Sequence, residues 1–327
     1  MSYTHVLLWS AKGFAALSAA FLMSTAMVAA ASQDEEPAPP PPPVWERVTQ
    51  YPHEGPVCSL GDWETLPRPQ GASGSLVDVE HAFGRYFAGN GTGHVLTSAD
   101  GASWEVIETE FNLSGGWGRS LAHVASGNGI IVVAGRNGNI ITSTDGENWE
   151  LHAQPNLRAR DLSSRPNVTG IVFDGARFVA SLSQTDNGPA VMTSEDGKTW
   201  EHSTSMRRSK RGIALAQGRH MLVGGTARSL DSVHFSDDLE VWASADTSHN
   251  LGAVATDGHR FVAGGDSSMI VLSEDGGYTW EEFTAPLRAP GHRVVFNSFA
   301  YGEGLFLASG TYHDGRGRQH GIPRFDS

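Results

Sequence analysis

The chain is poor in cysteine and in basic residues, and it has no long uncharged apolar run after residue 31. Cys58 is its only cysteine, so an intramolecular disulfide is excluded. Its 23 Lys and Arg face 36 Asp and Glu, a formal net charge of −13, which argues against a nucleic-acid-binding protein. Because 39% of the residues are hydrophobic, a wholly disordered chain is excluded as well. A length of 327 residues allows one large β domain or two ordinary domains.

Residues 1–31 have the pattern of a secretory signal peptide. Lys12 precedes the uncharged stretch 13–31, which ends in three alanines. This pattern predicts cleavage before Ser32, with an uncleaved membrane anchor as the alternative. We therefore expect a secreted or periplasmic protein with no integral membrane segment after cleavage.

Residues 32–44 form an acidic and proline-rich linker. Six of the seven residues from Pro37 to Pro43 are proline. Such a run has no apolar side chains to bury and takes an extended polyproline II conformation. We expect a spacer here, followed by one folded domain over residues 45–327.

A short motif recurs along this domain at nearly constant spacing. Four segments read SADGASWE, STDGENWE, SEDGKTWE and SEDGGYTWEE, and a degenerate fifth reads SDDLEVWA; we call these five segments the boxes. In chain order the boxes begin at Ser98, Ser143, Ser194, Ser236 and Ser273, and the degenerate box is the fourth, at Ser236. Successive box tryptophans lie 45, 51, 42 and 38 residues apart. This spacing is typical of one β-propeller blade of four short strands.

Short apolar runs precede each box. Examples are RYFAGN from Arg85, IIVVAG from Ile130 and RFVAGG from Arg260. The runs alternate or are continuously apolar, and Gly, Asn and Asp separate them, which predicts strands and turns. No segment shows a sustained helical period. The sequence therefore predicts an all-β domain.

The pattern Ser-x-Asp-Gly-x-x-Trp resembles the Asp-box (BNR) repeat of sialidase-like and photosystem II assembly factor-like β-propellers. The resemblance covers most of the chain from about Trp63 onward. It implies a propeller in which each box is a structural turn between the third and fourth strands, away from the active face. The aspartate accepts backbone hydrogen bonds, the glycine takes a positive φ and the tryptophan buries its ring. The residues with these roles would be Asp100, Asp145, Asp196, Asp238 and Asp275, with Trp104, Trp149, Trp200, Trp242 and Trp280.

Five boxes indicate five blades, and the two ends of the domain suggest a sixth. Residues 62–66, around Trp63, resemble a fourth strand, and the residues after Trp280 contain two strand-like runs. We predict a six-bladed propeller closed by N- and C-terminal strands that share the last blade. Trp45 is a competing candidate for the closing strand, and seven blades are the alternative if residues 44–50 pair separately.

Basic residues are concentrated in the connections from a fourth strand to the next first strand, where Arg165 and Lys210 accompany the candidate binding residues. These connections emerge on one face of a propeller, opposite the boxes, and we call it the basic loop face. Arginine suits bidentate recognition of carboxylates and phosphates, so this face predicts an anionic glycan or a protein as partner. The alternative is a set of solvated arginines that acidic neighbours such as Asp161 and Asp231 partly neutralise. The candidate binding residues are Trp117, Arg119, Arg158, Arg160, Arg207, Arg208, Arg211, Arg288 and Arg293.

A sialidase-like exo-glycoside hydrolase is the competing function. In such enzymes an arginine triad accompanies a tyrosine nucleophile paired with glutamate, and Tyr301 with Glu303, or Tyr312 with Asp314, fit these roles by residue type. However, the Arg-Ile-Pro motif that typically opens a sialidase domain is absent. No catalytic residue, metal ligand or cofactor is assigned. The sequence favours a monomeric binding or scaffold protein and leaves catalysis open.

Overall fold

The computed structural model describes residues 76–90, 93–107, 121–152, 166–183, 188–208, 210–224, 232–266, 268–285, 292–302, 305–313 and 319–321. The signal peptide at 1–31, the linker at 32–44 and the segment around Trp63 lie outside the described residues. Within the described ranges the regular elements are β-strands, apart from a 3₁₀ turn at Arg136–Gly138. The prediction of an all-β domain is confirmed. In this part of the chain no helix is long and apolar enough to cross a membrane.

The strands fall into successive antiparallel units. The first unit contains β1 (Leu76–Ala82), β2 (Arg85–Asn90), β3 (Val95–Ser98) and β4 (Glu105–Ile107). The second contains β5 (Leu121–Gly127), β6 (Ile130–Gly135), β7 (Ile140–Ser143) and β8 (Glu150–His152). The third contains β9 (Asn167–Phe173), β10 (Phe178–Ser183), β11 (Pro189–Ser194) and β12 (Glu201–Arg207).

Three further units follow along the chain. The fourth contains β13 (Gly212–Ala216), β14 (Arg219–Val223), β15 (Val233–Ser236) and β16 (Ala243–Ala245). The fifth contains β17 (Leu251–Thr256), β18 (Phe261–Gly265), β19 (Met269–Ser273) and β20 (Glu281–Thr284). The sixth contains, among the described residues, β21 (Arg293–Gly302), β22 (Leu305–His313) and β23 (Gln319–Gly321).

Within each unit the strand order follows the chain order, with antiparallel neighbours. Asn90 pairs with Leu121, and this pair joins the first two units into one sheet. The first strands of successive units contact one another, from β1 and β5 through to β17 and β21. A series of four-stranded sheets packed in chain order is the arrangement expected for a β-propeller.

The hydrophobic core lies between the units rather than within them. Each consecutive pair of units shares its own cluster of buried side chains. For example, Val132 and Ile140 of the second unit pack in one cluster with Phe178, Met192 and Trp200 of the third. The continuously apolar second strands are buried because both of their faces meet a neighbouring sheet.

The connections within each antiparallel unit alternate between its two ends. The turns between first and second strands and the boxes lie at the same end, and we call this end the turn face. The connections between units lie at the opposite end, which is the basic loop face. The outer strands β4, β8, β16 and β20 are short, as is typical of sheet edges.

Candidate functional site

Each box forms a turn held by its own serine and aspartate. In the third unit, Ser194 Oγ donates to Asp196 Oδ1 at 3.0 Å. The same oxygen accepts from the backbone N–H of Lys198 at 2.8 Å and of Thr199 at 2.7 Å. Trp200 Nε1 then donates to the carbonyl of Gly197 at 2.9 Å. The serine–aspartate bond recurs at Asp100, Asp145, Asp238 and Asp275.

These hydrogen bonds hold the box aspartates in the ionised state. The backbone N–H groups of Ser103 and Ala102 lower the pKa of Asp100 to about 2. The N–H groups of Val241 and Glu240 likewise lower the pKa of Asp238. A carboxylate held in this way is a poor proton donor at neutral pH. The boxes are therefore built as turns and not as acid catalysts.

The residue after the box aspartate takes a left-handed conformation and touches the preceding unit. Gly197 has φ +68°, and a Cβ placed on it would lie 2.7 Å from Val132 Cγ2. In the degenerate box Leu239 takes this position with φ 66°. Its side chain is 4% exposed and belongs to the cluster shared by the third and fourth units.

The box tryptophans differ in burial. Trp200 is 3% exposed and belongs to the core. The other four, Trp104, Trp149, Trp242 and Trp280, are half-buried. The expectation of a buried ring thus holds fully at Trp200 and partly at the other four boxes.

Five exposed arginines lie at this end of the described units: the four candidates Arg207, Arg208, Arg211 and Arg293, and Arg136 in the connection from β6 to β7. Arg207 ends β12, Arg208 follows it, Arg211 precedes β13 and Arg293 begins β21, so all four lie at the same end of their units. Arg208 adopts φ 74°. Trp117, Arg119, Arg158, Arg160 and Arg288 lie outside the described residues.

Lys210 does not belong to the exposed basic set, and the interpretation that grouped it with Arg207, Arg208 and Arg211 is wrong. Its side chain is 2% exposed. Lys210 Nζ donates to the carbonyl of Gly224 at 3.2 Å and lies 2.9 Å from His234 Nδ1. The long alkyl chain places the ammonium among polar groups inside the fourth unit, where burial is compensated by hydrogen bonds.

The turn face carries a cavity that sequence reasoning missed. It measures about 340 Å³ and lies between turns of the third and fourth units. Asp174, Arg177, Glu195, His220 and Asp237 line it. Because these residues come from four separate turns or strands, no local sequence motif predicts the cavity.

One sequence signal could have pointed to this cavity. His220 pairs with Ser236, the first residue of its box. The residues in the same register of the other units are Tyr86, Ile131, Phe178 and Phe261. An imidazole therefore stands where the repeat otherwise places an aromatic or aliphatic side chain, and such a departure marks a candidate functional position.

The residues considered for hydrolase chemistry contribute little defined geometry. The ring of Tyr301 packs against Phe306 with centroids 4.9 Å apart. Glu303 and Asp314 lie outside the described residues, and only the backbone of Tyr312 is described. Within the described ranges, no group of three or more His, Cys, Asp or Glu side chains is placed to hold a metal ion.

Comparisons with known proteins bear on the fold. No family model and no curated relative matches the chain. Among solved structures it is similar to YCF48 bound to D1 peptide, with a TM-score of 0.53 and 16% identity, covering 76% of this chain and 82% of that one. It is also similar to the RRP9 WD40 repeats, with a TM-score of 0.54 and 11% identity, covering 75% of each chain. A Niastella koreensis GH74 enzyme matches with a TM-score of 0.48 and 15% identity, covering 62% of this chain and 36% of that one. The likeness to YCF48 and RRP9, together with the packed four-stranded sheets, shows that the chain has a β-propeller-like fold.

Proposed function

We propose that this chain is an exported Asp-box β-propeller that binds a protein or anionic partner through its basic loop face. The observation that carries the proposal is the placement of Arg207, Arg208, Arg211 and Arg293, which are all exposed at the same end of their units. Four guanidinium groups on one face of a protein with a net charge of −13 form a local surface suited to an acidic ligand.

The charges on this face are weakly neutralised. Arg211 Nη1 lies 3.6 Å from Asp266 Oδ2, and both side chains are more than two-fifths exposed. An exposed pair at this distance holds little interaction energy, so the guanidinium stays available to a ligand. Among the described residues, neither Arg208 nor Arg293 pairs with a carboxylate. Multidentate contact with carboxylates is therefore open to at least three arginines of this face.

The similar structure of YCF48 contains a D1 peptide. This supports a protein or peptide partner over an anionic glycan for the present chain. Because a shared fold does not by itself give a shared function, the support comes from the combination of fold and exposed arginines.

We also propose that six blades close the ring. On β1, Val77 is 41% exposed and Val79 is 51% exposed, which leaves apolar surface on the first unit. The last unit has three described strands, one fewer than the others. A fourth strand from residues 62–66 would complete it and join the two ends.

Deletion of residues 1–70 should then lower the melting temperature by several degrees, whereas deletion of residues 1–43 should leave it unchanged. Equal melting temperatures for both truncated proteins would contradict this closure.

The binding proposal is tested with fluorescein-labelled peptides of equal length and acidic, neutral or basic composition. We expect the acidic peptide to bind with an affinity that falls as salt rises. Replacement of Arg207 and Arg208 by Glu should weaken its binding at least about tenfold, as expected when charge-assisted contacts are reversed.

A matched control is Lys198→Glu, which reverses a half-exposed charge on the turn face. It breaks the exposed surface pair with Glu150 at 2.7 Å, at the opposite end of the units from the four arginines. We expect wild-type affinity for this variant. Equal binding of all three peptides, or equal loss in the loop-face and turn-face variants, would overturn the proposed binding face.

The hydrolase alternative is decided by a separate assay. Purified protein is incubated with a fluorogenic sialoside, and release of the fluorophore is followed in the wild type and in Arg119→Ala and Arg160→Ala variants. The binding proposal expects no turnover. If the wild type releases the fluorophore and either variant does not, the function is glycoside hydrolysis rather than binding.

A further inference from the structure

The turn-face cavity lies at the opposite end of the units from the basic loop face and shares no residue with it. Its most unusual member is His220 on β14. The side chain of His220 is 4% exposed. In the described part of the chain neither ring nitrogen makes a hydrogen bond of good geometry: Nε2 lies 3.6 Å from Asp174 Oδ2, and the ring interacts with the backbone of Ser236. A buried polar group whose hydrogen bonding is incomplete costs free energy in the empty protein, and a ligand that completes it recovers that cost.

His220 is suited to accept a hydrogen bond. Burial lowers the pKa of its imidazole. The ring is therefore neutral at neutral pH and keeps one nitrogen with a free lone pair. A bound donor in the cavity would satisfy that nitrogen.

One carboxylate oxygen of Asp174 accepts two short hydrogen bonds, and the other has only longer contacts. Asp174 Oδ1 accepts from the backbone N–H groups of Ala176 at 2.9 Å and Arg177 at 2.8 Å. Asp174 Oδ2 has only longer contacts, at 3.4 Å to Arg177 Nε and 3.6 Å to His220 Nε2. Both distances exceed those of good charge-assisted hydrogen bonds. A donor in the cavity would find this oxygen available.

The other two carboxylates of the cavity differ in how far they are neutralised. Asp237 receives two hydrogen bonds from Arg219, at 2.7 Å from Nε and 2.8 Å from Nη2. Glu195 is exposed, and no described cation pairs with it. Arg177 offsets the charge of Asp174, so the cavity keeps the negative charge of Glu195.

We propose that this cavity binds a primary ammonium group, in the chemical form of a lysine side chain or a free polyamine. The three N–H donors of an ammonium match three acceptors: Asp174 Oδ2, the Glu195 carboxylate and the neutral ring of His220. The volume of about 340 Å³ also accommodates the alkyl chain that carries the ammonium. The protein thus presents sites of opposite charge preference at its two ends.

The test is an NMR titration of the full chain with N-acetyl-lysinamide, followed through the imidazole signals of His220. N-acetyl-norleucinamide, which has the same backbone and no ammonium, serves as the uncharged probe. We expect saturable shifts of the His220 signals with the lysine derivative and none with the norleucine derivative. Absence of any shift with the lysine derivative would overturn the proposal.

Two variants separate this site from general attraction between charges. Glu195→Gln should weaken binding at least about tenfold, because it removes a charge-assisted hydrogen bond. Its matched control is Glu274→Gln, since Glu274 occupies the same position in the fifth box and is also exposed. We expect wild-type affinity for that control. Equal weakening by both variants would show diffuse attraction and would contradict the site.

His220→Phe gives a variant that keeps the fold, because phenylalanine is the residue found in this register in the third and fifth units. Binding in this variant is followed through the amide of Gly218, which lines the same cavity. We expect a thermal stability no lower than that of the wild type and weaker binding of the lysine derivative. Unchanged binding would exclude His220 as an acceptor and overturn the proposed geometry.

A parallel titration with spermidine distinguishes the two sources of the ammonium group. Tighter binding of spermidine identifies a free polyamine, and tighter binding of a lysine-containing peptide identifies a protein partner.

Discussion

Gly146 lies so close to Phe87 that a Cβ placed on the glycine would come within 2.6 Å of the ring atom Cζ. Gly146 belongs to the box of the second unit and Phe87 to the buried second strand of the first. The same approach recurs at Gly277, where a Cβ would lie 2.5 Å from Met221 Cε of the preceding unit. The box glycine is thus both a turn residue and a contact between units.

Gly146→Ala should destabilise the protein through both roles. The residue has φ +78°, which an L side chain rarely adopts, and its Cβ would displace the fully buried Phe87. Gly129→Ala isolates the backbone effect, since Gly129 has φ +73° and no described atom within 4 Å of its Cβ position. We expect Gly146→Ala to cost about 1–3 kcal/mol more than Gly129→Ala in chemical denaturation, the usual range for overpacking. Equal costs would show that the contact between units does not restrict this position.

Trp200→Ala should have the largest effect among the box tryptophans. Trp200 is 3% exposed, and its replacement should lower the free energy of unfolding by about 3–5 kcal/mol because a large cavity opens between two units. Trp104 makes the same hydrogen bond to its turn, from Nε1 to the carbonyl of Gly101 at 2.9 Å, but is half-buried. Trp104→Ala should therefore cost clearly less in urea denaturation. A larger loss at Trp104 would contradict the ranking by burial.

Restoring the repeat's glycine in the degenerate box should destabilise the protein. Leu239→Gly relieves a left-handed leucine, a gain of about 1–2 kcal/mol. It also removes a buried side chain from the cluster shared by two units, a loss of about 2–5 kcal/mol. We expect a net decrease in the thermal midpoint, measured by circular dichroism. An increase would mean that backbone strain outweighs the packing of Leu239.

Glu80 should make stability depend on pH. Burial raises the pKa of Glu80 from 4.5 to about 7, and Asp78 adds to the effect by repulsion. Between pH 4.5 and about pH 7 the carboxyl group of Glu80 is protonated to a greater extent in the folded state than in the unfolded state. Stability contributed by Glu80 is thus present below pH 4.5 and is lost as pH rises to about 7, with a slope of at most about 1.4 kcal/mol per pH unit.

The variant Glu80→Gln removes this ionisation and keeps an acceptor for Ser126 Oγ, which donates to Glu80 Oε1 at 2.5 Å. Urea denaturation at pH 5 and pH 8 should show the variant gaining stability relative to the wild type at the higher pH. Glu105→Gln, at an exposed position on β4, is the control and should show no such gain. If the difference in stability between Glu80→Gln and the wild type is the same at pH 5 and pH 8, the raised pKa of Glu80 is contradicted.

The local features of the fold could be predicted from the sequence because their causes are local. A box turn needs a serine, an aspartate and a residue that tolerates positive φ within a few positions, and Ser194, Asp196 and Gly197 supply them. The second strands follow from continuous apolar runs such as Ile130–Gly135, which read as strands buried on both faces.

Features set by the packing of distant segments could not be predicted in this way. Lys210 looks like any basic loop residue, and its burial depends on a carbonyl at Gly224 and a ring at His234. Likewise, Asp174, Glu195 and His220 form one cavity only because the third unit packs against the fourth. Only the odd imidazole in an apolar register gave a hint of that site.

Gly146, Gly197, Leu239 and Gly277 each contact the preceding sheet from the box turn, and this gives the array a direction. A repeat of this kind carries one contact surface for its predecessor and another for its successor, so a duplicated repeat would bring compatible surfaces at each new junction. Repeat number could therefore change during evolution without redesign of neighbouring sheets, and stability would accumulate junction by junction, as in other linear arrays.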